Sequence, residues 1–290
     1  MPAVLRGYLE LVRPANVTTA LADVLAGYAV AGLGNGRALP WLLGATACLY
    51  AGGIVLNDVF DRHVDARERP ERPIPSGRVR AGMAACLGGG LLALGVLMAS
   101  RANTTAAMVA AAIAAAVLLY DGFSKRYAVA GPINMGMCRA LNLLLGVAAV
   151  PAVLAAEWPL AAIPLVYITA VTAVSRGEVW GGPRSTALIA LALLIGVLTA
   201  LSVLALQPPE PSAMGFLLAL FLTWRVIPPF WQAFRMGGPV SIRRAVRAGV
   251  LSLVLVDAVI GASYAGMIYS LAILATAGVA TALARLFPVT

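Results

Sequence analysis

Four closely spaced polar residues follow an apolar stretch of the sequence: Asn57, Asp58, Asp61 and Asp65. The aspartates are spaced i, i+3 and i+7, which puts their carboxylates on one face of a helix that continues through them. Three carboxylates on one face repel each other unless a cation neutralises them. A site made only of oxygen ligands favours a hard cation, and Mg²⁺ is often coordinated by protein carboxylates and substrate phosphates together. The spacing therefore predicts a Mg²⁺ site formed by these four residues, with the three aspartates acting in catalysis.

Arginines follow the aspartates directly, at Arg67, Arg69 and Arg72. A guanidinium group can bind two phosphate oxygens at once. Carboxylates for Mg²⁺ next to arginines for phosphate are suited to holding a diphosphate, with Arg69 and Arg72 as predicted binding residues. The proline-rich tract at 70–75 stiffens the same loop. The alternative is an ordinary solvated loop whose charges pair with each other.

The rest of the chain is too apolar for a soluble domain. Of its 290 residues, 61% are hydrophobic and 11% are charged, and the mean hydropathy is +0.90. Apolar runs of about 18 to 22 residues recur, each long enough to cross a bilayer core of roughly 30 Å. The runs are continuous and do not alternate, which excludes a β-barrel. The composition predicts an all-α, polytopic membrane bundle that forms one domain over 1–290.

Nine hydrophobic segments are predicted to span the membrane, and a tenth is left open. The segment after Gly266 is either a tenth span or the end of one long broken helix. The predicted segments lie at about 15–33, 40–57, 79–99, 103–121, 132–153, 159–175, 185–206, 212–233, 246–263 and 266–286, each boundary uncertain by several residues.

The net charge of +9 is explained by membrane orientation rather than by nucleic-acid binding. With the N-terminus in the cytoplasm, sixteen basic residues fall on inside segments and two, Arg37 and Arg101, on outer turns. This asymmetry follows the positive-inside rule. The outer connections are then short turns at 32–40, 100–104, 155–159 and 207–212. We expect a multi-pass protein of the inner (cell) membrane with its N-terminus and its active site on the cytoplasmic side.

The fifth segment carries polar residues in apolar surroundings, at Asn134, Arg139 and Asn142. An arginine within a membrane costs at least about 2.5 kcal/mol, so it should face a cavity or a partner. We expect these residues to face the diphosphate or a polar acceptor. The alternative is that Arg139 extends to the cytoplasmic interface. Asp23 and Asp257 are expected to pair with arginines as structural residues.

The stretch from 57 to 77 has the pattern NDxxDxxxDxxxRPxRPIPSG, which resembles the first aspartate-rich motif of the UbiA superfamily of intramembrane prenyltransferases. Arg13-Pro14-Ala15-Asn16 is similar to the family's RPxN entry to the first helix, and Tyr120 with Lys125-Arg126 to its Tyr…Lys-Arg segment. The resemblance implies a helical bundle around a cavity that is open to lipid. It also implies Mg²⁺-dependent transfer of a prenyl group from a prenyl diphosphate to a small-molecule acceptor. Substrate-binding residues implied by these motifs are Arg13, Asn16, Lys125 and Arg126.

The sequence departs from this family in its second polar loop, at 175–186. Family members usually carry a second acidic motif there, whereas this loop retains a single acid, Glu178. Arg176 is expected to take over a metal charge at the diphosphate, because a guanidinium also stabilises developing negative charge. Glu178 is the candidate general base for a hydroxyl acceptor. The alternative is a plain basic loop.

Three further segments, SRGEVWGG, NMGMCRALN and IRRAVRAG, look like the UbiA-like proteins encoded in Ebo-type biosynthetic clusters. That resemblance implies a polar, cyclitol-like acceptor, and an aromatic acceptor in the membrane is the alternative.

Two other functions compete with a prenyltransferase. A CDP-alcohol phosphotransferase also uses aspartates and Mg²⁺, but Asp121-Gly122 alone does not fulfil its pattern. A transporter, or a protein that binds lipid diphosphates without turnover, is the non-enzymatic alternative. A transporter should place ionisable residues along a path near mid-membrane, whereas most of those here lie at one end.

Overall fold

The computed structural model describes residues 3–34, 36–207 and 211–286, and regular structure within these ranges is entirely helical. The helices, in chain order, are α1 (Ala3–Val12), α2 (Pro14–Val30), α3 (Leu39–Phe60), α4 (Arg62–Glu68), α5 (Ala81–Ala102), α6 (Thr104–Gly122), α7 (Ala130–Val147), α8 (Pro151–Glu157), α9 (Ala162–Ser175), α10 (Arg184–Leu206), α11 (Ala213–Met236), α12 (Pro239–Leu251) and α13 (Leu253–Leu286). The all-helical prediction is confirmed.

Seven helical segments of the described chain are long and apolar enough to cross a membrane. They are Leu39–Phe60, Ala81–Ala102, Thr104–Gly122, Pro151–Ser175, Arg184–Leu206, Ala213–Met236 and Pro239–Arg285. The last segment is not one straight helix, because Gly266 has φ 78° and ψ −176°. A methyl group at Gly261 would meet the side chain of Ile273, so the two parts of α13 fold back on each other.

Some predicted boundaries are wrong, for identifiable reasons. The fifth segment ends at Val147 rather than at 153, and Pro151, which lacks an N–H group, begins the next helix. The ninth segment begins at Pro239 rather than at 246, because α12 continues through a basic stretch. A helix at the N-terminus, α1, was not predicted. Of the predicted outer turns, residues 35 and 208–210 lie outside the described residues.

Helix α2 lies at the centre of the bundle. It packs closely against α7, since a methyl group at Gly27 would lie 2.0 Å from the carbonyl oxygen of Leu143 and one at Gly146 would lie 2.2 Å from that of Val24. On its other side, the hydroxyl of Tyr269 in α13 donates to the Leu25 carbonyl (2.9 Å). The connections that carry most of the charged residues meet at one end of the bundle. There the amide nitrogen of Gly182, between α9 and α10, donates to the carbonyl of Gly237, between α11 and α12 (3.3 Å).

Candidate functional site

A cavity of about 310 Å³ opens at the end of the bundle where the charged connections meet. Apolar side chains from α3, α6 and α7 form much of its wall. The polar residues that line it are Arg13, Asn16, Tyr50, Asn57, Tyr120 and Asp121. A smaller chamber of about 70 Å³ adjoins it and shares Tyr50 and Cys138. Arg139 and Asn142 line this chamber. The cavity thus combines a polar mouth, apolar walls and a polar inner end.

Two of the predicted metal-binding aspartates are paired with arginines. Arg13 donates to both oxygens of Asp58, at 2.7 and 3.0 Å. Arg72 lies between Asp58 (3.4 Å) and Asp65 (2.7 Å), and all three of these side chains are buried. Two carboxylates therefore face two guanidinium groups, and the charge of this cluster is balanced.

The third aspartate belongs to a separate group. The ammonium of Lys125 lies 2.6 Å from an oxygen of Asp61 and 3.8 Å from one of Asp121. The amide of Asn57 donates to the same Asp121 oxygen at 2.6 Å. One positive charge thus faces two carboxylates, so this group has an excess of one negative charge at the cavity mouth.

Of the three aspartates predicted to share one helical face, Asp58 and Asp65 contact the same arginine, Arg72, and Asp61 does not. Helix α3 ends at Phe60 and α4 begins at Arg62, although backbone hydrogen bonds from Asp61 to Asn57 and from Asp65 to Asp61 (2.9 Å each) still connect the two helices. Asp61 is one-third exposed and pairs with Lys125.

Arg13 reaches Asp58 from a strained backbone. It connects α1 and α2 with φ 47° and ψ 68°, the left-handed region that a non-glycine residue enters at a cost of roughly 1–2 kcal/mol. Its two hydrogen bonds to Asp58 offset that cost. Strained backbone conformations of this kind concentrate at functional sites, which supports the prediction that Arg13 binds substrate.

Arg139 faces the inner chamber and does not extend to the interface. Its guanidinium donates to Asp23 (2.7 Å) and to the hydroxyl of Thr19 (3.2 Å), and lies 5.2 Å from the centre of the Tyr50 ring. The Asn142 amide donates to the same Asp23 oxygen at 2.8 Å. The expected pairing of Asp23 with an arginine is therefore found.

Asp257 differs from Asp23. It is 1% exposed, its close neighbour is the Asp23 carboxyl, and no cationic, amide or hydroxyl group of the described residues donates to its oxygens. Arg139 is near enough to act on it electrostatically but does not bond to it. The expected ion pair with an arginine is not formed.

The remaining predicted residues take other positions at the same end. Asn134 donates to the hydroxyl of Ser124 (3.0 Å) and so holds the connection that carries Lys125. Arg176 donates to the carbonyl of Lys125 (3.2 Å), which ties the two connections together. Arg69 and Arg126 are exposed and do not line the cavity.

Glu178 lies apart from the cavity, in the connection between α9 and α10. Burial raises the pKa of its carboxyl, and the positive charge of Arg243 opposes that rise. Arg243 also donates to the Glu178 carbonyl at 2.8 Å. Glu178 is not among the residues that line the main cavity.

The oxygen atoms at the mouth suit Mg²⁺, because Asn57 and Asp121 line the cavity with amide and carboxylate oxygens, and Asp61 lies next to them across Lys125. Among the described residues, no group of three or more acidic, histidine or cysteine side chains is already close enough to hold a metal ion. The arginine and lysine side chains that lie between the carboxylates account for this. A divalent ion would bind here in place of contacts that Lys125 now makes.

Sequence reasoning did not assign Asp121 to the site. Asp121-Gly122 looks like the end of a helix, and its partner Asn57 is 64 positions away. Its place directly after Tyr120, which does belong to a motif, was the one available signal. The structure shows it 2% exposed at the cavity mouth.

Comparison with known proteins places the chain in a family. The sequence profile of the UbiA prenyltransferase family matches residues 17–246. The digeranylgeranylglyceryl phosphate synthase of Methanopyrus kandleri is 37% identical over 155 residues, covering 51% of this chain and 56% of that protein. The enzyme of the same name from Halobacterium salinarum is 31% identical over 227 residues, covering 77% and 82%. The chain thus spans about half the length of the first of these relatives and most of the second.

Solved structures share the fold. A structure described as digeranylgeranylglyceryl phosphate synthase in membranes has a TM-score of 0.70 at 20% identity, covering 92% of this chain and all of that one. A UbiA homologue from Archaeoglobus fulgidus bound to GPP and Mg²⁺ has a TM-score of 0.64 at 17% identity, covering 88% and 99%. Taken with the profile match over 230 residues, these findings show that the chain belongs to the UbiA prenyltransferase family.

Proposed function

We propose that the protein transfers a prenyl group from a prenyl diphosphate to a polar acceptor, with Mg²⁺ as cofactor. The observation that carries this proposal is the cavity itself. A cationic and carboxylate-rich mouth opens onto apolar walls, and its lining includes Arg13 and Asn16. A diphosphate suits the mouth, and a prenyl chain suits the walls, where each buried methylene contributes roughly 0.8 kcal/mol.

The ligands proposed for Mg²⁺ are Asn57, Asp58, Asp61 and Asp65. When bound, Mg²⁺ would neutralise charge on the leaving diphosphate. Asp61 is the best placed of the aspartates, because it is partly exposed and belongs to the group with excess negative charge. Asp65 holds Arg72 in the ground state.

The cationic side chains hold the diphosphate in this proposal. Arg13, Arg72, Lys125 and Arg176 lie at or beside the mouth, and Arg69 and Arg126 are exposed at the same end. Carboxylate partners keep Arg13, Arg72 and Lys125 in place before substrate arrives. When the allylic carbon–oxygen bond breaks, its electron pair leaves with the diphosphate, and donors already held in position stabilise that charge. The apolar walls exclude water until the acceptor attacks the allylic carbon.

A polar acceptor is favoured by the inner chamber, where Arg139 and Tyr50 present polar groups in an apolar surrounding. Cyclitol-like compounds fit this description, and so do compounds such as the glyceryl phosphates named for the relatives. We assign no proton transfer to Glu178, because its carboxyl lies beside Arg243 and outside the cavity lining.

The arrangement in the membrane is part of the same proposal. We propose a single domain with the mouth and the N-terminus on the cytoplasmic side of the cell membrane. The 47-residue segment Pro239–Arg285 would be about 70 Å long as one straight helix, far more than a bilayer core of about 30 Å. The bend at Gly266 divides it into two passes. Together with α2 and α7 this gives ten, the larger of the two predicted counts.

The test is turnover by the purified full chain. Radiolabelled geranyl, farnesyl and geranylgeranyl diphosphates are incubated with cyclitols, glyceryl phosphates or aromatic acids, in Mg²⁺ or EDTA. A prenylated product with release of diphosphate, formed only with Mg²⁺, is expected with one of the polar acceptors. Product from an aromatic acid alone would overturn the acceptor class. Mg²⁺-dependent binding without product from any acceptor would favour a binding protein.

A further inference from the structure

Asp121 occupies a position at the cavity mouth that the aspartate motif does not explain. It belongs to α6, is 2% exposed, and lines the cavity beside Asn57 and Tyr120. One of its oxygens accepts the hydrogen bond from the Asn57 amide at 2.6 Å and lies 3.8 Å from the Lys125 ammonium. One carboxylate thus contacts two different groups, the Asn57 amide of α3 and the Lys125 ammonium of the α6–α7 connection.

The bond to Asp121 decides which end of the Asn57 amide faces the cavity. An amide offers a carbonyl oxygen on one side and an NH₂ group on the other, and its orientation follows from its partners. An ionised carboxylate only accepts hydrogen bonds. Asn57 therefore turns its NH₂ group to Asp121, and its carbonyl oxygen is the atom left for the cavity. A hard cation binds the oxygen of an amide and not its nitrogen.

Lys125 is placed by the same carboxylate. Asp61 holds the ammonium at 2.6 Å, and Asp121 lies on its other side, one helical turn before it in sequence. The two carboxylates carry one more negative charge than the single ammonium neutralises. Lys125 can therefore move toward a diphosphate while a divalent ion binds the carboxylates in its place.

We propose that Asp121 is the positioning residue of the cavity mouth: it fixes the Asn57 amide with its oxygen toward the cavity and keeps Lys125 beside Asp61. This inference rests on the proposed function, since it concerns how the same mouth receives a divalent ion and a diphosphate. It adds Asp121, which lies outside the aspartate motif, to the residues on which metal-dependent binding depends.

The test measures binding, not turnover. The ligand is geranyl thiolodiphosphate, in which sulfur replaces the oxygen between the allylic carbon and the first phosphorus. It is bound to the purified full chain while Mg²⁺ is titrated. In Asp121→Asn, the new amide can donate to Asn57 as well as accept from it, so the orientation of Asn57 is no longer fixed. We expect the Mg²⁺ concentration for half-maximal binding to rise by about 10- to 100-fold, with little change in the melting temperature. The matched control is Glu157→Gln, an acid-to-amide change at the opposite end of the bundle, where Glu157 accepts from Tyr264.

A double variant separates positioning from a structural role. In Asn57→Asp with Asp121→Asn, the hydrogen bond is kept with its direction reversed, and an oxygen again faces the cavity. We expect the Mg²⁺ dependence to return to within about threefold of the original protein. An unchanged Mg²⁺ dependence in Asp121→Asn, or a lowered melting temperature alone, would overturn the inference. Failure of the double variant to recover would also overturn it, whereas absence of Mg²⁺-dependent binding in the unaltered protein would refute the proposed function as well.

Discussion

At the residue scale, the aspartate motif divides into two groups with different tasks. Asp58 and Asp65 are buried against Arg13 and Arg72, with which their charges balance. Asp61 is partly exposed, at the cavity mouth, and shares one lysine with Asp121. Both groups belong to the proposed Mg²⁺ site, but substitutions in the buried group should in addition lower the stability of the protein.

Asp61→Asn should chiefly affect metal-dependent binding. The buried ammonium of Lys125 keeps the Asp121 carboxylate at 3.8 Å, so the substitution does not leave this charge without an acidic neighbour. We expect the Mg²⁺-dependent affinity for a prenyl diphosphate to fall by at least about tenfold, while the melting temperature changes little. Equilibrium binding with and without Mg²⁺ checks this. Unchanged binding would refute the assignment of Asp61 to the metal site.

Asp65→Asn should lower stability as well as weaken Mg²⁺ binding. The substitution replaces the charged group closest to the buried Arg72 guanidinium with a neutral amide, and a hydrogen bond between charged groups is worth about 1.5–3 kcal/mol. Asp58 remains at 3.4 Å and prevents a larger loss. Thermal unfolding in detergent measures the effect, with Glu68→Gln, an exposed acid of the same short helix, as the control. A melting temperature equal to that of the control would contradict the structural role of Asp65.

At the element scale, the site depends on how closely α2 approaches α7. Arg13 directly precedes α2, which carries Asp23, and α7 carries Arg139. A side chain on Gly27 would collide with the α7 backbone. Gly27→Ala should separate the helices and destabilise the protein by about 1–3 kcal/mol. Gly90→Ala in α5 is the control, because a methyl group there meets nothing within 4 Å and alanine favours a helix. Equal melting temperatures of the two variants would contradict the close approach.

Hydrophobicity was enough to predict the all-helical fold and most of the long helices, and the charged loops indicated the end of the bundle where the candidate site lies. They did not predict the pairing of Asp61 with Lys125, which comes from the connection between α6 and α7. They also did not predict Asp121, whose partner is distant in sequence. The sequence predicted that Arg139 would face a cavity or a partner, but it did not single out Asp23 as that partner, because Asp257 also lies within an apolar run. Contacts between distant residues are set by tertiary packing, which periodicity does not encode.

At the scale of the whole molecule, the structure has two dissimilar ends, and we propose from the charge pattern that the cavity mouth faces the cytoplasm. Single cysteines test this in a background without Cys48, Cys86 and Cys138. Ser76→Cys lies in the charged loop and Gly36→Cys in a turn at the opposite end, and both positions are exposed. In intact cells a membrane-impermeant thiol reagent should label only Gly36→Cys, and after lysis it should label both. Labelling of Ser76→Cys alone in intact cells would reverse the orientation.

We propose that the cavity mouth holds a prenyl diphosphate together with Mg²⁺. The most direct measurement is equilibrium binding of radiolabelled geranyl diphosphate to the purified protein at rising Mg²⁺, with an EDTA control. The cavity geometry and its excess negative charge predict saturable binding that requires Mg²⁺ and is lost in EDTA. Binding of equal strength in EDTA, or no saturable binding at any Mg²⁺ concentration, would contradict the claim.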